Sequence, residues 1–98
     1  MAVVFLDVDL RIKGFTSEAK QYFNIETQDV GRPLHHFSHQ LSITELSAQL
    51  DEAFAGSIVK LTTQLVSDEN SQIHLCLRPY KAGDKVMGVV ITLYPIEF

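Results

Sequence analysis

The residues able to do chemistry in this chain are three crowded histidines, one cysteine and a pair of close carboxylates. His35, His36 and His39 share one short stretch. On a helix, His35 and His39 would stand one turn apart and could share a metal ion. No Cys or carboxylate close by completes a tetrahedral set. The stretch therefore reads as a polar turn between helices, and no metal is assigned; His35 and His39 are the candidates if one exists. Cys76 alternates with Leu75 and Leu77 like an ordinary strand thiol, without a cationic sequence neighbour to make it a thiolate. Asp7 and Asp9 could share acid–base work. A hairpin turn explains them more simply, because Asp accepts bonds from nearby backbone N–H groups. The five glycines form neither GxGxxG nor a P-loop. Lone Ser and His residues are no triad without geometry. No catalytic residue is assigned, and the chain is not expected to be an enzyme.

Composition narrows the class further. The 98 residues suit a single domain, 1–98, with one modest core. Apolar residues reach 46% and charged ones 20%, the balance of a chain that folds. Twelve acidic residues against eight basic ones leave a net charge of −4. That balance argues against nucleic acid, which binds through Lys and Arg meeting phosphates. It also disfavours an anionic membrane surface. No apolar run approaches the ~20 residues that span a bilayer. The opening lacks the basic start and cleavage site of a signal peptide. A single cysteine closes no internal disulfide, so nothing marks an oxidising compartment. Cytoplasm is the expected location.

The elements that must position these residues follow from periodicity. Val3 to Leu6 is a β-type run, and Asp7-Val8-Asp9 turns it into the alternating Leu10-Arg11-Ile12-Lys13, a hairpin. Thr16 or Ser17 caps a short helix whose apolar face is Ala19, Tyr22 and Phe23. Thr27 to Asp29 starts another short turn, which Gly31-Arg32-Pro33 breaks. Ser42-Ile43-Thr44-Glu45 fits a capping box. From it a stripe of Ile43, Leu46, Leu50, Ala53 and Phe54 runs to a stop at Gly56. The period then becomes two. Val59, Leu61, Thr63 and Leu65 share one face of a strand, and Ser67 to Ser71 is a polar loop. Ile73, Leu75 and Leu77 share one face of the next strand; His74, Cys76 and Arg78 share the other. Pro79 and Tyr80 lead to a turn at Gly83-Asp84, and Val86 to Tyr94 is the last strand. The order β-β-α-α-α-β-β-β favours an antiparallel sheet with helices on one side, an α+β architecture.

That order resembles the PAS domain, in which short helices and one longer helix pack on one face of a five-stranded antiparallel sheet. Phe5-Leu6-Asp7-Val8-Asp9-Leu10-Arg11-Ile12, Phe15-Thr16, Ala19, Phe23-Asn24 and Asp29-Val30-Gly31-Arg32-Pro33-Leu34 are similar to the first half of such domains in hybrid chemotaxis proteins. Those hybrids carry receptor methylesterase and methyltransferase modules. Arg78-Pro79-Tyr80 and Gly88-Val89-Val90-Ile91-Thr92 are similar to the second half of PAS domains broadly. There are departures. Pro95-Ile96-Glu97 stands where many relatives place an Asp-Ile-Thr triplet that passes signal onward. Asn70 stands near a loop glycine of many relatives, and can take its left-handed angles.

The resemblance implies a sensory or regulatory module, a piece of a larger bacterial signalling protein of the chemotaxis methylation system. It also implies where a ligand would sit, between the sheet and the longer helix. The residues expected there are Phe23, Phe37, Leu46, Leu50, Phe54, Leu61, Thr63, Leu75 and Leu77. Nearly all are apolar, so a ligand would be apolar or aromatic, with Thr63 its polar contact; a filled core is the rival reading. Haem-binding PAS domains ligate iron from the long helix, where this chain has no His; flavin photosensors use a helical Asn-Cys-Arg-Phe motif, whereas Cys76 falls on a strand. Neither cofactor is expected, and a sensor loaded with haem or flavin is the alternative reading. Val3 to Leu6 and Val89 to Ile91 are apolar at every position, so both faces of their strands are expected to be covered. Val4, Leu6, Val90 and Tyr94 are the expected outer-face contacts, made with a second copy as a homodimer or with a flanking signalling domain. Strands that run almost to both ends suit a domain of a longer parent.

Overall fold

The computed structural model describes residues 1–34, 41 and 46–96, without the side chain of Ser47. Those residues form β1 (Ala2–Asp7), β2 (Ile12–Phe15), 3-10 turns at Ser17–Gln21 and Thr27–Asp29, α1 (Leu46–Phe54), β3 (Val59–Leu65), β4 (Asp68–Ala82) and β5 (Lys85–Pro95). The sheet runs β2-β1-β5-β4-β3 with every neighbouring pair antiparallel. This is the expected α+β architecture of five antiparallel strands.

The first hairpin turns on Asp7. Its Oδ1 accepts the backbone N–H of Asp9 at 2.9 Å and of Arg11 at 3.0 Å. Leu10 belongs to this turn and not to the strand, and it is held at φ +62. A left-handed conformation costs a residue with a Cβ about 1 kcal/mol. Two anchors hold it: the Leu10 carbonyl accepts the N–H of Leu34 at 2.8 Å, and its side chain packs on the core. The chain from Gly31 to Leu34 runs along β2. The N–H of Ile12 donates to the Arg32 carbonyl at 3.0 Å, and that of Gly31 to the Ile12 carbonyl at 2.7 Å. This strap satisfies backbone groups that an edge strand would otherwise expose.

The predicted helix after β2 is a 3-10 turn, with Ala19, Tyr22 and Phe23 buried as expected. Thr16 precedes it but its hydroxyl caps nothing there. That hydroxyl accepts the N–H of Val3 at 2.9 Å and donates to the Met1 carbonyl at 3.3 Å, tying the turn to β1. The expected capping box at 42–45 lies outside the described residues. The other end of α1 is as the sequence predicts. Gly56 takes φ +104, its N–H reaches the Ala53 carbonyl at 3.0 Å, and the N–H of Ser57 reaches Glu52 at 3.3 Å. This pair of bonds is the Schellman arrangement, and a residue with a Cβ would strain it.

Two strand limits differ from the sequence reading. The expected polar loop shrinks to a turn at Val66 and Ser67, and β4 starts at Asp68. Asn70 has no left-handed angle. An irregularity in the β3–β4 register takes up the extra residues, and the Ser71 hydroxyl accepts the N–H of Leu65 at 2.8 Å. At its far end β4 continues through Pro79 to Ala82. Proline is tolerated because β3 pairs only as far as Leu77, leaving that side of β4 without a neighbouring ladder.

Val4, Leu6, Leu75, Leu77, Val89, Ile91 and Leu93 line the inner face and form one cluster with Leu50, Ala53, Ala19 and Phe23. The helix and turns thus cover one side of the sheet. The other side carries whatever the second set of alternating residues presents.

Candidate functional site

On the inner side, Phe23, Leu50, Leu75 and Leu77 meet in the core cluster, with Leu46, Phe54 and Leu61 packed against it. These ligand candidates are therefore brought together between sheet and helix. Thr63 stands apart: it is half-buried and lines a shallow, open groove with Thr62, Gln64, Ser71 and Gln72. Phe37 lies outside the described residues, as do His35, His36 and His39. Among the described residues, no group of three or more His, Cys, Asp or Glu could hold a metal ion.

The outer side is set out by strand register, since cross-strand partners share a face. Thr62, His74 and Tyr94 form one row. Lys60, Cys76, Thr92 and Val3 form the next. Arg78, Val90, Phe5 and Gly14 follow. Tyr80, Gly88 and Asp7 make the last. Over β5 and β1 the middle rows carry Val3, Phe5 and Val90 with Thr92; over β3 and β4 they carry Lys60 and Arg78 with Cys76. Phe5 is 43% exposed and Tyr94 39%, whereas Val3 and Val90 are half-buried. The His74 and Tyr94 rings lie 5.0 Å apart at 41°. Lys60 and Arg78 are exposed, and neither enters an ion pair among the described residues.

Two of the four expected outer-face contacts are misplaced. Val4 and Leu6 are 0% exposed and belong to the inner core; the outward side chains of β1 are Val3 and Phe5. The run Val3 to Leu6 is apolar throughout, so composition could not assign its faces, and a one-residue slip exchanges them. Pairing could have done so: Asp7 turns the chain, and Val4 stands opposite Ile91 while Phe5 stands opposite Val90. Val90 and Tyr94 do lie on the outer face. The sequence reading also missed Lys60 and Arg78 as parts of this face. Cys76, on the same face, is free and only 5% exposed. Lys60 stands directly across from it, a cation that its sequence neighbours did not supply.

The arrangement offers a covered apolar layer and, behind it, a sheet face that carries apolar and cationic side chains. An antiparallel sheet in this order, which the helix and turns among the described residues cover on one side, defines a class of α+β modules. The family model for the PAS domain matches residues 1–97, and the chain belongs to that family. An uncharacterised 104.1 kDa protein of Rhodobacter capsulatus, from the hypE 3′ region, is 31% identical over 98 residues. The alignment takes in 98% of this chain but only 10% of that protein. Among solved structures, the PAS domain of the histidine kinase ThkA superposes with a TM-score of 0.71 at 21% identity. That superposition covers 95% of this chain and 98% of the other.

Proposed function

We propose that residues 1–98 are one sensory or regulatory module of a longer bacterial signalling protein, without catalytic activity of its own. It works through contact on the outer sheet face, made with a second copy or with a flanking segment. The observation that carries this reading is the pair of exposed rings, Phe5 on β1 and Tyr94 on β5, on the same sheet face as half-buried Val3 and Val90. Water gains from leaving such a surface, and contiguous apolar patches mark interaction sites. The PAS domain of a histidine kinase as structural neighbour supports the signalling role. So does a relative about ten times the length of this match. The first-half string from Phe5 to Leu34 supports a parent of the chemotaxis methylation kind.

A ligand held between sheet and α1 would meet apolar side chains, so it would be apolar or aromatic. No haem or flavin is proposed. The absorption spectrum of protein purified from cells tests that part: a Soret or flavin band overturns it. Light scattering tests the outer face. A wild-type dimer that falls to monomer on Val90→Lys supports self-association there. A monomer at all concentrations, or a dimer indifferent to the substitution, removes it and leaves the flanking segment.

A further inference from the structure

The strap from Gly31 to Leu34 meets β2 through an isolated bridge, Arg11 with Pro33, and not through a ladder. The N–H groups of Ile12, Gly31 and Leu34 donate to the carbonyls of Arg32, Ile12 and Leu10. Val30, Gly31 and Arg32 are exposed, and the buried Leu34 roots the strap in the core. The polar side-chain contacts lie in water. Arg11 Nη1 donates to the Gly31 carbonyl at 2.9 Å, and Arg32 stands 3.7 Å from Asp29. Exposed contacts of this kind contribute little. By contrast, β4 is paired on both sides at Leu75 and Leu77.

The strap also has a fixed end and a hinge. Upstream, Asp29 is buried and its Oδ2 accepts the N–H of Glu26 at 2.8 Å, which holds the 3-10 turn. Next along the chain, Gly31 takes φ +95 with open space where a side chain would stand. Across from the strap Leu10 is held at φ +62, and one of its two anchors is the bond from Leu34. Releasing the strap lets Leu10 leave the left-handed region, so opening relieves strain that the closed form carries. We propose that Gly31 to Leu34 form a latch, which swings from β2 about Gly31 while the sheet stays paired and admits an apolar ligand to the layer under α1. Leu34 belongs to the same buried cluster as Leu50, Leu75 and Leu77, so its withdrawal opens that layer. The entry role rests on the ligand reading above; the latch itself does not.

Amide hydrogen exchange followed by NMR tests the latch without a ligand. The amides of Ile12, Gly31 and Leu34 are expected to be protected at least about a hundredfold less than those of Leu75 and Leu77. Val89→Ala weakens the core; it should speed exchange at Leu75 and Leu77 and leave the strap amides unchanged, because these open without the sheet. Gly31→Ala adds a Cβ that meets nothing within 4 Å but is strained at φ +95, and should speed the strap amides together by about tenfold. Arg11→Cys with Pro33→Cys allows a disulfide across the bridge, since a non-hydrogen-bonded pair sets its Cα atoms about 4.5 Å apart. The oxidised protein should protect the strap as well as the sheet, and reduction should restore fast exchange. Equal protection of strap and sheet in the wild type, with Val89→Ala speeding both, overturns the latch. So does unchanged strap exchange in the oxidised protein. Entry is read separately, from the fluorescence of the neutral apolar probe phenylnaphthylamine. Its uptake should be slowed by the disulfide and hastened by Gly31→Ala at unchanged affinity. One uptake rate in all these proteins keeps the latch and overturns its entry role. No uptake even by the wild type overturns the ligand reading and the entry role together, while the exchange data still decide the latch.

Discussion

Tyr80 on β4 stands directly across from Gly88 on β5, and its ring occupies the space a side chain at that position would need. From there its hydroxyl donates to the Leu6 carbonyl on β1 at 3.0 Å. One side chain thereby links three adjacent strands across the outer face, next to the irregularity in the β1–β2 register. Aromatic cover of a strand glycine buries backbone that would otherwise be weakly packed.

Gly88→Ala is expected to cost about 3 kcal/mol, at the upper end of overpacking effects. The added Cβ would lie 2.1 Å from the Leu6 carbonyl oxygen and 2.4 Å from Tyr80 Cζ. Moving the ring relieves only the second clash, because the first is with backbone. Urea unfolding of Gly88→Ala in a Tyr80→Ala background should therefore still show most of the loss. Full recovery there would mean that Tyr80 alone makes glycine necessary.

Tyr80→Phe keeps the ring over Gly88 and removes the hydroxyl. A single partly buried hydrogen bond contributes about 1 kcal/mol net. The unfolding free energy should fall by that amount, which lowers the denaturation midpoint at an unchanged slope. A change in slope instead would show that the clasp also alters how compactly the chain folds.

Neighbours on β1 should respond in opposite ways to the same substitution. Val4→Lys puts an ammonium group into the core cluster, where Val4 is 0% exposed, and an unpaired buried charge costs several kcal/mol. That is comparable to the whole stability of a small domain, so the fold is lost. Phe5→Lys sits on the outer face, and stability should change by about 1 kcal/mol or less. Circular dichroism of the two variants checks the assignment. A folded Val4→Lys protein beside an unfolded Phe5→Lys protein would reverse the faces of the strand.

Tyr22 provides an alkaline signature. Burial pushes its hydroxyl above the usual 10.0, and the nearby Glu18 carboxylate adds to the rise. The folded state thus holds this proton more tightly than the unfolded chain does. Its contribution to stability is complete below pH 10.0 and fades as the pH climbs through the raised value. Unfolding midpoints measured across that range should drop, and less steeply in Tyr22→Phe. Parallel profiles for the two proteins would place the alkaline loss elsewhere.

Element type was legible wherever one face differed from the other. The β3 alternation of Val59, Leu61 and Leu65 against Lys60 and Thr62 declared both strand and orientation, as did the stripe from Leu46 to Phe54 and its glycine stop. Orientation was lost where both faces are apolar, as from Val3 to Leu6, and so half of the expected outer contacts fell in the core. Local capping rules also misled at Thr16, whose hydroxyl serves β1 instead of its own turn.

Local pattern by itself determined the class of fold, the hairpin at Asp7, the end of α1 at Gly56 and the apolar nature of the layer between sheet and helix. Those depend on periodicity and on turn chemistry within a few residues. Only the tertiary structure decided which side chains share the outer face: Lys60 across from Cys76, Arg78 beside Val90, Val90 beside Phe5. These neighbours are brought together by strand register between segments as far apart as Phe5 and Val90, and register is a property of the paired sheet and not of any one strand.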